Sequence, residues 1–249
     1  MPLTVRYSAP GGRPLLADLY LPEGTARPLP AVLYLHLGGW VRGDRRTCPD
    51  LARFSVQSGL AMLSIDYRLS GEAIFPAALD DVFAALDWLR SDGPAHGLDP
   101  ERLGIWGASA GGHLAALAAL SRPQPGLRCV VAAYAPIDFY QMTERSFAPD
   151  SYESRFLGAP IRQVPELVAR ANPVTYVRPG APPFLIVHGR EDRLVPLRQS
   201  ELLYEALRAH GNPVTLSVID GLGHAFFEDN HFEFESLEAF FHVNLRAEP

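Results

Sequence analysis

The stretch that decides the fold covers residues 102–120 and reads RLGIWGASAGGHLAALAAL. Its first part is short and apolar, which is typical of a buried strand. Its last part is rich in Ala and Leu and free of Gly and Pro, which favours a helix. Ser109 lies between the two parts, with Gly107 two residues before it and Gly111 two residues after it. The stretch therefore predicts a strand, a sharp turn at Ser109 and a helix.

Such a turn suits a nucleophilic serine. A strained strand-to-helix turn pushes the serine hydroxyl into the open, and glycines on either side avoid a Cβ clash with the neighbouring strand or helix. The N–H groups and the positive dipole end of the following helix would stabilise negative charge on a substrate oxygen. A phosphate-binding loop is disfavoured because no Lys-Ser/Thr pair follows the glycines, and their order does not match a dinucleotide fingerprint.

Length, composition and charge indicate a globular protein that does not bind nucleic acid. A chain of 249 residues with 47% hydrophobic and 20% charged residues is typical of a globular protein. The sequence shows no internal repeat and no low-complexity linker, so we expect one domain over residues 1–249. The formal net charge is −6, and no basic cluster occurs beyond residues 42–46, which argues against nucleic acid as a partner.

The sequence contains no pattern typical of a signal peptide, a membrane span or a metal site. The N-terminus lacks the charged start and apolar core of a signal peptide, which predicts a cytoplasmic protein. The longest apolar runs are too short to span a bilayer, so no membrane association is expected. Cys48 and Cys129 form no Cys-x-x-Cys pair and are interpreted as reduced, with one disulfide as the alternative. No metal-ligand spacing occurs, and neither a metal nor another cofactor is expected.

Strand-like and helix-like segments alternate along most of the chain, which predicts an α/β fold with a mostly parallel sheet and helices on both faces. Besides the strand before Ser109, strands are predicted at residues 4–7, 15–20, 31–35, 60–67, 129–135, 184–188 and 214–219. Besides the helix after Ser109, helices are predicted at residues 49–58, 76–90, 165–171, 199–210 and 233–245.

Residues 137–182 break this alternation. The segment is rich in proline and carries one predicted helix, and so long a connection is either disordered or functional. Its aromatic residues, among them Phe139 and Tyr140, argue against disorder. We expect a small cap-like insertion, placed before the seventh strand, that supplies substrate-contacting side chains. The alternative is that these aromatic side chains pack the insertion against the core.

Candidate catalytic residues follow the late strands. In a parallel sheet the ligand site lies outside the carboxyl ends of the strands, so the turns after the strands converge on one edge. Asp192 follows the seventh predicted strand, and His224 follows the eighth in a Gly-flanked loop. A serine needs a base within hydrogen-bond reach, and the base needs an acid that holds its tautomer. We interpret Ser109, Asp192 and His224 as a catalytic triad, with Glu191 as a rival acid.

A second loop completes this site. Residues 36–40 read HLGGW and directly follow the third predicted strand. Two glycines after a buried strand, Gly38 and Gly39, suggest backbone N–H groups held close to a ligand. An oxyanion hole needs donors from two chain segments, and this loop is the expected partner of the Ser109 turn. The other interpretation is a plain turn after a strand.

Together these motifs resemble the α/β-hydrolases of the esterase and lipase superfamily, close to the hormone-sensitive-lipase-like and bacterial feruloyl-esterase-like carboxylesterases. The motifs that carry the resemblance are HLGGW at 36–40, DYR at 66–68, FPA at 75–77, GASAGGH at 107–113, residues 183–192 and Gly223-His224. The resemblance implies an α/β-hydrolase fold with a sheet of the eight-stranded type and the chain order nucleophile, acid, histidine.

The same resemblance implies roles for individual residues. It gives Ser109 as the nucleophile, His224 as the base, Asp192 as the orienting acid, and the N–H groups of Gly38, Gly39 and Ala110 as the oxyanion hole. Leu37 stands where the first of three glycines is usual. Because a strand is predicted from Thr4, we expect no helical cap like the one that precedes the first strand in hormone-sensitive-lipase relatives, and hence an open site for small substrates.

The resulting hypothesis is a serine carboxylesterase that hydrolyses short-chain or small aryl esters through an acyl-enzyme. The candidates for substrate contact are Leu37, Trp40, Phe139, Tyr140 and Phe226. The alternatives are amide chemistry on the same triad, as in an arylformamidase or a small serine peptidase, and a non-catalytic binding protein that kept the fold. The expected partner is a small-molecule ester. A homodimer, which is common in the groups that the chain resembles, stays open.

Overall fold

The apolar segments build an eight-stranded sheet in the computed structural model, which describes residues 1–226 and 234–246. In chain order the strands are β1 (Leu3–Ser8), β2 (Leu15–Tyr20), β3 (Leu29–Leu35), β4 (Ala61–Ile65), β5 (Leu98–Ala108), β6 (Leu127–Ala133), β7 (Phe184–Gly189) and β8 (Val214–Ile219). Their order in the sheet is β1-β2-β4-β3-β5-β6-β7-β8. The pairs β1/β2 and β2/β4 are antiparallel, and the other neighbours are parallel. The predicted α/β-hydrolase fold with a mostly parallel sheet is confirmed.

Helices cover both faces of the sheet. They are α1 (Leu51–Ser58), α2 (Ala77–Ser91), α3 (Ala110–Ser121), α4 (Tyr152–Leu157), α5 (Pro165–Ala171), α6 (Arg198–Ala209) and α7 (Glu235–Asn244). The apolar side chains of α2 to α6 belong to one core cluster, and those of α1 and α7 belong to a second. Alternate residues of β3 point to these two cores: Leu33 to the first and Tyr34 to the second. Successive side chains of a strand point to opposite faces, so a strand with two covered faces is apolar throughout.

Most predicted boundaries lie within a few residues of the observed ones. The bounds of β2, β8 and α5 coincide with the prediction. The strand β4 ends earlier than predicted, at Ile65, although the backbone N–H of Asp66 still donates to the carbonyl of Leu16 in the register of the β2/β4 pair. The predicted start of the last helix, Glu233, lies outside the described residues. Within those residues, no helix combines the length and the apolar character that a membrane crossing requires.

The long connection between β6 and β7 is more ordered than its sequence suggests. Besides the predicted helix α5 it contains α4 and four single turns of 3₁₀ helix, at Phe139–Gln141, Glu144–Phe147, Ile161–Gln163 and Pro173–Tyr176. The helix α4 starts at an N-cap, where the Ser151 hydroxyl accepts a hydrogen bond from the backbone N–H of Ser154 at 3.0 Å. Its residue Phe156 is buried in the first core cluster, so this connection packs onto the sheet.

Candidate active site

Ser109 occupies the single position between β5 and α3. Its backbone angles are φ 52° and ψ −118°, a region that residues with a Cβ atom seldom adopt. The surrounding chain holds this conformation, because the N–H of Ser109 donates to the carbonyl of Ala133 at 2.9 Å and its own carbonyl accepts from the N–H of His113 at 3.0 Å. Strain that is maintained in this way is typical of functional turns. The turn therefore has the geometry that the sequence predicts.

The two glycines that flank Ser109 are required by space. A Cβ atom on Gly107 would lie 2.1 Å from the carbonyl oxygen of Gly111. A Cβ atom on Gly111 would lie 2.0 Å from the carbonyl oxygen of Leu35, the last residue of β3. The first contact keeps the turn tight, and the second lets α3 begin directly against the neighbouring strand. Both contacts are with backbone atoms, so no rotation of a side chain can make room.

Ser109, His224 and Asp192 form a chain of hydrogen bonds across the carboxyl ends of β5, β8 and β7. His224 Nε2 lies 3.0 Å from Ser109 Oγ, and His224 Nδ1 lies 2.6 Å from Asp192 Oδ2. An ionised carboxylate only accepts hydrogen bonds, so Nδ1 carries the imidazole proton and Nε2 is left to accept from the serine hydroxyl. Glu191, the rival acid in the sequence, is exposed, whereas Asp192 is buried.

The Asp192 carboxylate is held in its ionised form. Its Oδ1 accepts from the backbone N–H groups of Leu194 and Val195, both at 2.9 Å, and its Oδ2 also lies 3.3 Å from Nε2 of the fully buried His188. Burial raises the pKa of this carboxyl, but the hydrogen bonds from His188, His224 and the backbone outweigh burial and bring the pKa well below its ordinary value. A stable negative charge therefore faces His224.

The loop after β3 presents unengaged N–H groups beside the serine. Gly38 and Gly39 have positive φ angles, 126° and 62°, and both line the same cavity as Ser109. Within the described part of the chain, the backbone N–H groups of Gly38, Gly39 and Ala110 donate no hydrogen bond. Donors from two chain segments are thus available to a ligand oxygen in this cavity.

The base of this loop is fixed by aromatic and backbone contacts. The ring of His36 stacks on Tyr67 with centroids 4.1 Å apart, and the Tyr67 hydroxyl donates to the His36 carbonyl at 2.8 Å. His36 Nδ1 lies 2.6 Å from the Leu37 carbonyl oxygen, a contact that restrains the orientation of this peptide bond. Leu37 itself packs against the second core cluster and also lines the cavity.

The cavity that opens onto Ser109 has a volume of about 430 Å³. Of the predicted substrate-contacting residues, Leu37 and Trp40 line it. Phe139, Tyr140 and Phe226 do not. Phe139 is buried in the core, with its ring 5.6 Å from that of Trp40, so the alternative interpretation of packing applies to it. Tyr140 is exposed outside the lining, and Phe226 is buried edge-on against Tyr134.

Tyr152 is the aromatic residue of the β6–β7 connection that lines the cavity. It lies at the start of α4, and its ring covers Gly39: a Cβ atom added there would lie 2.8 Å from two ring carbons.

Among residues 1–226 and 234–246, no three His, Cys, Asp or Glu side chains are grouped as a metal site requires.

Comparison with known proteins agrees with this geometry. The BD-FAE family matches residues 17–207, which include the loop at residues 36–40, Ser109 and Asp192. The chain belongs to the BD-FAE family. This BD-FAE chain is also similar to two esterases of Mycobacterium tuberculosis. It is 34% identical to esterase LipQ over 238 residues, which cover 87% of this chain and 55% of the relative. It is 32% identical to esterase LipC over 217 residues, which cover 80% of this chain and 54% of the relative. The BD-FAE chain thus spans about half the length of these curated relatives.

Two solved structures have the same fold as the BD-FAE chain. A truncated form of a carbohydrate esterase from gut microbiota superposes with a TM-score of 0.82 at 26% identity, and the match covers 97% of this chain and 96% of that one. The bifunctional GH43-CE protein of Bacteroides eggerthii superposes with a TM-score of 0.84 at 27% identity, covering 98% of this chain and 38% of that one.

Two residues of the BD-FAE site were missed by the sequence analysis. Tyr152 is an aromatic residue of the β6–β7 connection, and its residue type alone does not distinguish it from Phe139. The N-cap residue Ser151 directly before it was the available signal, because it predicts a helix start there. His188 ends the predicted strand at residues 184–188, where its sequence position suggests only local hydrogen bonds. Its place four residues before Asp192 does not reveal that its Nε2 reaches the same carboxylate oxygen as His224.

Proposed function

We propose that this chain is a serine carboxylesterase that hydrolyses short-chain or small aryl esters through an acyl-enzyme. The observation that carries the proposal is the continuous hydrogen-bonded path from Ser109 Oγ to His224 and on to Asp192, with distances of 3.0 and 2.6 Å. The esterase names of the relatives agree in reaction type.

In the first half of the proposed reaction Ser109 Oγ attacks the ester carbonyl carbon while His224 Nε2 takes the hydroxyl proton. The carbonyl oxygen becomes an oxyanion, which the N–H groups of Gly38, Gly39 and Ala110 stabilise. Donors that are already oriented need no rearrangement when the charge develops, which is why such a site lowers the barrier. The intermediate then collapses, and His224 returns its proton to the leaving alkoxide or phenolate.

In the second half a water molecule takes the place of the alcohol. His224 Nε2 accepts a proton from this water as the water oxygen attacks the acyl carbon, and a second tetrahedral intermediate forms. When the bond from this carbon to Ser109 Oγ breaks, His224 returns the proton to Oγ and the carboxylic acid is released. The carboxylate of Asp192 stabilises the imidazolium in both halves and keeps the Nδ1 proton in place. The cavity of about 430 Å³ is within the range of small-ligand pockets and suits a short acyl chain with a small alcohol or aryl group.

The test is the turnover of 4-nitrophenyl acetate and butyrate by Ser109→Ala. We expect kcat to fall by roughly 10⁶-fold, since the loss of the nucleophile of a triad has that effect. Ser121→Ala is the matched control at the other end of α3. The Ser121 hydroxyl is buried and finds no hydrogen-bond partner within the described residues, so its removal should preserve both fold and activity. Esterase activity that survives Ser109→Ala would refute the proposal.

Two further measurements separate the alternatives. Acetanilides matched to the aryl acetates measure ester against amide turnover, and a preference for the amide would favour a formamidase or peptidase. A fluorophosphonate probe should label the wild-type chain and spare Ser109→Ala. Failure to label the wild type would favour a binding protein that kept the hydrolase fold.

A further inference from the structure

The cavity that opens onto Ser109 has a wall of arginines. Arg42 comes from the loop after β3, Arg145 from the turn Glu144–Phe147 and Arg155 from α4, and all three line the cavity. All three side chains are exposed, and none forms an ion pair or donates a side-chain hydrogen bond within the described residues. We call these three residues the arginine wall.

Two other arginines near the site, Arg45 and Arg68, form ion pairs. Arg45 bridges Asp18 and Asp66, with both N···O distances at 3.0 Å, and Arg68 binds Asp81 at 2.7 Å. The pair Arg45–Asp18 ties the loop after β3 to β2, and the pair Arg68–Asp81 ties the segment after β4 to α2. The guanidinium groups that hold these loops in place are therefore ion-paired. The three that line the cavity have no ion-pair partner among the described residues.

The acidic residues of the cavity do not neutralise the wall. Asp150 is exposed, and Glu153 is 5% exposed. The Glu153 carboxylate accepts a hydrogen bond from Ser146 Oγ at 3.1 Å, and its burial raises its pKa, although Arg145 acts in the opposite direction. The lining thus carries three cations against two acidic groups, one of which is buried and engaged by its own segment, in a chain whose net charge is −6. A positive region on an acidic protein attracts anions.

Arg42 begins directly beside the oxyanion loop. A Cβ atom on Gly38 would lie 3.2 Å from Arg42 Cγ, so the aliphatic part of this side chain packs against the loop that faces Ser109. The planar guanidinium group matches the two oxygens of a carboxylate or phosphate and binds them more strongly than it binds neutral acceptors. Three such groups from three segments can surround one anionic substituent.

We propose that the arginine wall selects esters that carry an anionic oxygen group, a carboxylate or a phosphate, beside the scissile ester. The inference rests on the proposed esterase function and names its substrate class. The bond that is cleaved is the same ester bond, and the anionic group stays attached to the acid or to the alcohol. The arginine wall acts in binding and takes no part in the proton transfers at Ser109 and His224.

The test compares anionic esters with their own methyl esters. On the alcohol side the pair is 4-acetoxybenzoate and methyl 4-acetoxybenzoate, and on the acyl side it is mono-(4-nitrophenyl) adipate and its methyl ester. The quantity measured is the ratio of kcat/KM for the anionic member to that for the neutral member. In the variant Arg42→Gln/Arg145→Gln/Arg155→Gln this ratio should fall about fivefold for at least one pair, through KM, since exposed charge pairs contribute about 1 kcal/mol together, which corresponds to about fivefold.

Two controls make the result specific. Arg46→Gln removes the same charge from an exposed arginine that does not line the cavity, and it should leave the ratio unchanged. Arg145→Gln/Arg155→Gln spares the oxyanion loop and should give most of the effect. Raising the ionic strength should weaken the preference of the wild type.

The outcome that would overturn the proposal is a ratio that the triple variant leaves unaltered for both pairs, or that Arg46→Gln lowers equally. A higher kcat/KM for a neutral sugar acetate than for every anionic ester, insensitive to the arginine variants, would also overturn it in favour of a polyol subsite. Titration calorimetry of Ser109→Ala with 4-acetoxybenzoate and its methyl ester measures the same selectivity without turnover. It therefore separates failure of the arginine wall from failure of the esterase assignment.

Discussion

At the residue scale, the decisive feature is the crowding of N–H donors around one carboxylate. Asp192 Oδ2 faces both His224 and His188, and Oδ1 accepts two backbone N–H groups. His188 is itself oriented, because Ser200 Oγ lies 2.7 Å from its Nδ1. A carboxylate with every lone pair occupied cannot rotate, so it fixes both the charge and the direction that His224 experiences.

The first prediction concerns this carboxylate. In Asp192→Asn the amide no longer carries the charge that stabilises the imidazolium, and it can hold His224 in the wrong tautomer, so kcat for a 4-nitrophenyl ester should fall by roughly 10⁴-fold with the fold intact. The measurement is steady-state kinetics together with circular dichroism. Glu191→Gln is the control, because this neighbouring acid is exposed and should retain wild-type kcat. Equal losses in the two variants would contradict the role of Asp192.

At the element scale, the contact between the loop at residues 36–40 and α4 joins two parts of the chain that are remote in sequence. Tyr152 lies on Gly39 so closely that only a residue without a side chain fits beneath it. This contact explains why the loop that faces Ser109 keeps its shape although its Gly38 and Gly39 N–H groups have no partner in the described structure.

The second prediction follows from that contact. Gly39→Ala places a methyl group 2.8 Å from the Tyr152 ring, at a residue with φ 62°, so the loop should shift and kcat/KM should fall by about 10²-fold. Tyr152→Ala in the same chain removes the clash and should recover at least about tenfold, with the backbone strain remaining. Gly71→Ala is the control, since a Cβ atom there meets nothing within 4 Å. A double variant no more active than Gly39→Ala would rule out the clash as the cause.

At the scale of the whole molecule, the buried His113 of α3 couples folding to pH. Burial lowers its pKa to about 4, although its Nε2 bonds to the Ala171 carbonyl at 2.7 Å. Because the folded pKa lies below the unfolded value of about 6.5, the unfolded chain takes up a proton first as the pH falls. The free energy of unfolding should therefore decrease between about pH 6.5 and pH 4, by on the order of 3 kcal/mol from this group.

His113→Gln tests this coupling by urea denaturation at several pH values. The glutamine amide can still donate to the Ala171 carbonyl, so the variant should fold, and its free energy of unfolding should decline less than that of the wild type between pH 6.5 and pH 4. Some decline should remain, since burial also lowers the pKa of His36. His210→Gln, at an exposed position, should keep the wild-type pH dependence. A variant as steep as the wild type would show that His113 does not titrate in this way.

The structure could be predicted from the sequence where neighbouring residues determine it. The β5–Ser109–α3 unit follows from its own residues, and parallel-strand topology correctly brings Ser109, Asp192 and His224 to one edge. The β6–β7 connection has no such rule. Phe139 and Tyr152 are both aromatic residues in proline-rich surroundings, yet one is buried in the core and the other covers Gly39. That difference depends on contacts with residues about a hundred positions away, which neither periodicity nor propensity encodes.

The division between strand ends and the β6–β7 connection also bears on how such proteins diversify. Ser109, Asp192 and His224 follow the ends of core strands, whereas Tyr152, Arg145 and Arg155 lie on one crossover connection. Connections on the surface accept substitutions and insertions far more readily than buried strands do. Related proteins can therefore change their substrate preference through substitutions in the β6–β7 connection while they keep the residues at the strand ends. Exchanging residues 142–155 between relatives would test whether substrate preference moves with this region.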